Sequence, residues 1–224
     1  MRMKTNAIVL LILSILLLYG TGCTDTGKYA VSAKASTLGF GPELTAAATS
    51  NLNARVGFNR LDLDFDDREI DDIEYDFGLD FKSFSALADW YVFDGSFRLS
   101  SGVVVMNHDL DLDARPTTTE QIGDTSYEPE EIGTLSGNVG VNDVAPYVGI
   151  GWGNPLTASG RWGFICDFGV AFTNSPDVKL SSNGTLASNP EFQENLEKER
   201  KEIEDDWDSF KIYPVFALSF YYRF

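Results

Sequence analysis

The chain closes on Lys211–Phe224, KIYPVFALSFYYRF. Every even position in it is apolar: Ile212, Pro214, Phe216, Leu218, Phe220, Tyr222 and Phe224. The odd positions hold Lys211, Tyr213, Ser219, Tyr221 and Arg223, with only Val215 and Ala217 between them. An alternation of period two marks a β-strand with two different environments on its faces. A wholly aromatic and aliphatic stripe that runs to the last residue is out of place on a water-exposed sheet. Lipid against one face accounts for it.

The same pattern returns upstream. Trp162, Phe164, Cys166, Phe168, Val170 and Phe172 alternate with Gly163, Ile165, Asp167, Gly169 and Ala171. Val144, Pro146, Val148, Ile150 and Trp152 alternate with small residues and Tyr147, and Phe97, Leu99, Ser101, Val103 and Val105 do the same. Two segments slip: Leu52, Ala54, Val56 and Phe58 give way to Leu61, Leu63 and Phe65, and Tyr75–Phe81 gives way to Phe84–Trp90. Because a shift of one residue turns the apolar set over, these slips predict bulges near Asn59 and Lys82. KYAVSAKASTLGFGPELTAAAT splits into two short strands around Gly39, Gly41 and Pro42.

Eight strands result, an even number. Short connections fall at Thr49–Asn51, Phe93–Ser96 and Gly153–Gly160, and long ones at Asp66–Glu74, His108–Gly137 and Asn174–Ser209. Short turns on one side and long loops on the other, with about ten alternating residues per strand, describe an eight-stranded antiparallel up-and-down transmembrane β-barrel. Trp90, Tyr91, Trp152 and Trp162 at strand ends fit an interfacial aromatic girdle. The fold class is therefore all-β, with one helix in a long loop: Asn189 caps it, Pro190 opens it, and Phe192, Leu196, Ile203 and Trp207 share a face. That face reads as packing on the barrel rim.

The first residues fit this placement. Arg2 and Lys4 precede an apolar run from Ala7 to Tyr19, shorter than the ~20 residues of a membrane-spanning helix. Residues 1–22 read as a secretory signal and residues 23–224 as one domain. Ala33-Lys34-Ala35 has a small-x-small form but lies inside a strand. Gly20-Thr21-Gly22-Cys23 is similar to a lipoprotein cleavage box with Gly20 where leucine is usual, which makes Cys23 the lipidation candidate. The whole chain carries a net charge of −17, and the cut removes Arg2 and Lys4 with no acid, leaving −19. Such a surface excludes nucleic acid as a natural partner.

With STLGFGPEL, NLNARVGFN, LADWYVFDGSFRLSSG, VAPYVGIGWGN and the closing FKIYPVFALSFYYRF in view, the chain resembles the small eight-stranded bacterial outer-membrane barrel family. The resemblance implies residence in the outer membrane of a Gram-negative bacterium, among outer-membrane lipid and lipopolysaccharide. It also implies that Phe220, Tyr222 and Phe224 form a C-terminal signal read by the barrel-assembly machinery. The family implies no catalytic activity.

Few residues point to chemistry. Asp62–Glu74 is densely acidic with one base, Arg68, and DLDLDARPTTTE (Asp109–Glu120) follows the same style. Both lack the glycine of a calcium loop, so they read as solvated loops, with loose divalent-cation binding as the functional alternative. His108 is the single histidine, with Asp109 beside it and Ser100 or Ser101 on its strand. Neighbours on a strand face opposite ways, so His108 and Asp109 are poorly placed to work as a catalytic pair. No cofactor motif is present. The inward charges form the main candidate set: Lys34, Glu43, Arg55, Asp89, Arg98, Asp167, Lys211 and Arg223. Buried charges must pair, so a cross-barrel network is expected, Asp89 with Arg98 first. These features favour a filled, non-catalytic barrel with a structural or surface-interaction role. A narrow passive channel is second and a lipid A-modifying enzyme third.

Overall fold

A computed structural model describes residues 28–70, 73–93, 95–157, 159–208 and 211–224. The signal segment 1–22 and the lipidation candidate Cys23 lie outside the described residues. The strands in chain order are β1 (Tyr29–Ser36), β2 (Gly39–Ala47), β3 (Leu52–Ile70), β4 (Ile73–Trp90), β5 (Phe97–Pro116), β6 (Glu120–Ile122), β7 (Thr125–Tyr127), β8 (Leu135–Trp152), β9 (Trp162–Phe172), β10 (Asp177–Ser182) and β11 (Ile212–Arg223). A helical turn α1 (Pro129–Ile132) precedes β8, and the helix α2 (Pro190–Asp208) precedes β11.

Eight of these strands close a ring. Antiparallel pairing runs β1–β2–β3–β4–β5–β8–β9–β11 and returns to β1, where Ala30–Ser36 pairs with Arg223–Ala217. Closure leaves no unpaired edge at membrane depth, which is the condition for a sheet to stand in lipid. The outward residues supply the belt: Phe58, Phe84, Val105, Val144, Phe168 and Phe216 are all exposed on the barrel wall. Trp90, Trp152 and Trp162 lie exposed at strand ends by the short turns. Tyr91 departs from the expected girdle: it is buried, and its hydroxyl turns to the lumen floor near Asn53 and Gly153. Tyr91 continues the lumen-facing odd positions of β4 (Ser83, Ser85 and Asp89), where the phenol finds polar partners.

The ring is lopsided. The β3, β4, β5 and β8 strands run far beyond the level at which β1, β2, β9 and β11 stop, and β10 adds to β8 there, pairing Asp177–Ser182 with Gly140–Leu135. The bulges expected near Asn59 and Lys82 are absent. Pairing between β3 and β4 is continuous from Leu52↔Trp90 to Phe65↔Phe77, and the register shifts only between Phe65 and Arg68. What changes is the surroundings. The row Arg60–Lys82–Asn107–Asn142 marks where outward residues stop being apolar. Past it, the outward face carries Asp62, Asp80 and Asp109 in one row, and the apolar residues Leu61, Leu63 and Phe65 point inward. Water replaces lipid outside, so the apolar set belongs on the other face without any slip of the chain.

For the same reason the segment expected as a loop at 66–74 is mostly strand, and DLDLDARP is the outer end of β5. Helix α2 is capped by Asn189, whose side-chain oxygen accepts from the amides of Glu191 and Phe192. Its buried Phe192 and Leu196 pack with Ile122, Tyr127 and Ile132. That small core lies against the β10 end of the sheet extension and the β6–β7 hairpin, above the rim on which the apolar face was expected to rest.

Candidate functional site

The lumen holds two stacked layers. In the half nearer the short turns, three cations and three carboxylates meet, all buried: Lys34, Arg55 and Arg98 with Glu43, Asp89 and Asp167. Each sits at an inward position of its strand, placed there by the strict alternation. Lys34 Nζ donates to Glu43 Oε2 at 2.9 Å. Arg55 Nη1 lies 3.2 Å from Glu43 Oε1, and its Nε lies 2.6 Å from Asp89 Oδ2 as an ion pair without hydrogen-bond alignment. Arg98 joins Asp167 at 2.5 Å and Asp89 at 3.5 Å. The Ser100 hydroxyl donates to Asp89 Oδ1 at 2.6 Å, and Arg98 Nη1 donates to the Gly153 carbonyl at 2.6 Å.

Equal numbers of opposite charges at such distances leave the layer neutral, which is the arrangement under which ions tolerate burial. Backbone glycines make room for it. A Cβ at Gly151 would stand 2.8 Å from the Arg98 guanidinium, which would then have to shift off β8.

Above the ions lies an apolar layer: Leu38, Val104, Met106, Ala145, Tyr147, Ala171 and Val215. Leu38 comes from the β1–β2 turn, which folds into the lumen. Gly39 beside it has φ of +105°, a conformation glycine adopts without strain, and its backbone lies against Arg60 and Leu61. Thr37 pins the turn: its hydroxyl donates to the Pro214 carbonyl at 3.0 Å, and its carbonyl accepts from Tyr213 at 2.8 Å. Between the layers a cavity of about 20 Å³ remains, bounded by Lys34, Glu43, Arg55, Leu87, Tyr147 and Asp167. That is space for about one water molecule.

Two members of the sequence candidate set stand apart. Lys211 is exposed and precedes β11 at the outer rim, so it does not enter the lumen. Arg223, at the opposite end of β11, donates to the Leu156 carbonyl of a short turn at 2.9 Å and closes the floor instead. At a strand end the inward direction leads to the rim or floor, where alternation alone cannot assign a partner. Sequence reasoning missed Ser100 and Leu38. Ser100 was legible as an inward residue, whereas nothing local signals that the turn carrying Leu38 folds inward.

His108 is buried, stacked on Phe81 with ring centroids 4.3 Å apart and edge-on to Tyr213 at 5.6 Å. Asp109 faces the other way and Ser100 is engaged with Asp89, so no catalytic triad forms on this strand. Among the described residues no group of three or more His, Cys, Asp or Glu side chains converges on a metal position. Asp109, Asp111 and Asp113 lie along one face of a strand rather than wrapping a loop. Phe220, Tyr222 and Phe224 lie exposed on the outward face of β11, Tyr222 and Phe224 edge-on at 5.4 Å. No helix among the described residues is long and apolar enough to cross a membrane.

No protein-family model and no curated protein matches the sequence. Solved structures do. CarO of Acinetobacter baumannii aligns with a TM-score of 0.63 at 21% identity, over 87% of this chain and 97% of that one. CarO2 of the same organism aligns at 0.64 and 21%, over 90% and 100%. Ail, the attachment invasion locus protein of Yersinia pestis, aligns at 0.38 and 14% over 88% and 93%, and adds nothing to the assignment. A closed eight-strand ring, an apolar belt with tryptophans at the short-turn end, and this likeness lead to one conclusion. The chain has the fold of the small outer-membrane β-barrel proteins.

Proposed function

We propose that this protein is a closed, non-catalytic barrel whose work is done on the cell surface by the sheet that rises above the membrane. The observation that carries this reading is the filled lumen: a layer of paired ions beneath an apolar layer, with a cavity of about 20 Å³ between them. Eight strands enclose an interior that side chains can fill, while water-filled porins need roughly sixteen. The barrel is then an anchor, and the part free to meet other molecules is the β3–β4–β5–β8–β10 extension with its loops. Outward aspartates just past the belt face the zone of lipopolysaccharide phosphates. Divalent cations would bridge the two as hard oxygen-bound ions. Assembly would proceed through recognition of Phe220, Tyr222 and Phe224 by the barrel-assembly machinery.

Planar-bilayer recording on purified protein tests the reading. No steady channel steps are expected. Reproducible conductance from the intact chain would replace it with the narrow-channel reading.

A further inference from the structure

Resting on that surface role, the extension has an edge and two unlike faces that together specify a partner. The β2 strand pairs with β3 only as far as Phe40↔Arg60. Beyond it the Gly39 backbone still lies against Leu61, but Asp62–Phe65 is bonded to β4 on one side only, and no described segment pairs with its other side. An unpaired edge strand is a template for another strand.

The two faces of this edge differ sharply. Inward, Leu63 and Phe65 are each 39% exposed beside the half-buried Leu61. They continue into Phe77, Leu79 and Phe81 on β4 through direct pairing. Helix α2 and the hairpin cover the apolar face at the β10 end, leaving the β3 end open. Outward, Asp62 and Asp64 face water, with Asp80 and Asp109 in the Asp62 row. Arg60 and Lys82 pair with Asp62 and Asp80, whereas Asp64 and Asp109 have no cationic partner among the described residues.

A second copy of this chain fits poorly. Two β3 edges paired antiparallel about Leu63 would set Asp62 of one opposite Asp64 of the other, and like charges directly opposite destabilise a sheet. The net charge of −17 adds long-range repulsion. The same arrangement favours a strand with basic residues on one face and apolar residues on the other.

We propose that the free edge of β3 at Asp62–Phe65 receives, as an added strand, an extended segment of a partner protein in which basic and apolar residues alternate. Its basic side chains lie over Asp62 and Asp64, its apolar side chains cover Leu63 and Phe65, and its backbone completes the ladder.

The test uses the full mature chain in lipid nanodiscs and a short peptide alternating Lys and Val. A scrambled peptide of the same composition and a copy with alternate backbone amides methylated serve as controls. The alternating peptide should bind at least about tenfold tighter than either control, a gap of ~1.4 kcal/mol. Reversing charge with Asp62→Lys and Asp64→Lys should cost a similar factor, with correct folding checked by heat-modifiable gel migration. Equal binding of the scrambled or methylated peptide would reduce the effect to surface charge and overturn strand addition. So would failure of the alternating peptide to bind, or self-association of the protein that Leu63→Ser abolishes. Conductance is read on the same preparation: a silent barrel that binds no peptide removes this inference and leaves the anchor reading standing.

Discussion

Arg55 and Asp167 face each other across the full diameter of the barrel. Arg55 is on β3 and Asp167 on β9, four strands away in either direction round the ring, yet guanidinium and carboxylate meet at 3.1 Å. The pair ties opposite walls together, with Glu43 and Asp89 holding the remaining edges of the guanidinium. It is the strut about which the ion layer is organised.

Removing Asp167 leaves the buried layer with three cations against two carboxylates, one positive charge uncompensated. Asp167→Ala is expected to cost ~3–5 kcal/mol of barrel stability. A change on the exposed face of α2, such as Asp205→Ala, should stay within about 0.5 kcal/mol. Urea unfolding of the refolded barrel, followed by tryptophan fluorescence, compares the two. Equal effects would show that the ion layer is not stabilising as a unit. The apolar replacement Arg55→Met with Asp167→Leu should recover part of the loss.

Assembly should depend on the last residue. Phe224 is exposed on the outward face of β11, and its amide donates to the Tyr29 carbonyl at the seam where the ring closes. Deleting it, or making Phe224→Asp, should leave the chain in the periplasm. Immunoblots of separated envelope fractions give the readout, and normal outer-membrane levels of the mutant would refute the C-terminal signal.

Cys166 reports which way the wall faces. It sits between Phe164 and Phe168 on the outward stripe of β9, opposite Trp152 on β8 and Leu218 on β11. In intact membranes a membrane-impermeant maleimide should leave it unmodified, while a lipid-soluble one should react. Rapid modification by the impermeant reagent would place this face in water.

The outer cap should loosen in acid. Lys198 on α2 hydrogen-bonds Asp124 in the β6–β7 turn and holds that carboxyl below its ordinary value. Arg200 does the same for Glu197, bringing it down to about 2. Both carboxyls titrate lower in the folded cap than in an unfolded one. Their contribution is therefore complete above the ordinary carboxylate range, near 4.5, and fades as pH falls toward about 2. Hydrogen exchange of α2 amides should accelerate over that window while barrel amides stay protected. Since both carboxyls are exposed, added salt should shrink the difference.

Much of the barrel is legible in the chain itself. The alternation in Trp162–Phe172 and Lys211–Phe224 assigns lipid and lumen faces correctly, because a strand in a closed barrel offers its side chains only two directions. Inward placement of Arg55, Asp89, Arg98 and Asp167 follows from the same rule. Leu61, Leu63 and Phe65 read locally as the far side of a bulge, and that reading fails. Their change of phase records a change of solvent outside the sheet, and a local pattern cannot distinguish the two. Lys211 and Arg223 obey the alternation and still miss the network, since depth along the barrel depends on where neighbouring strands end.

The sequence by itself determined the count of barrel strands, the two faces of each and the sign of each lumen charge, since all three follow from residue type repeated at period two. Only the tertiary structure decided which charges meet, that Leu38 folds in to fill the lumen, and that β3 leaves an edge open beyond Leu61. Those depend on shear and on unequal strand lengths around the ring, which bring residues such as Arg55 and Asp167, 112 positions apart, to hydrogen-bonding distance.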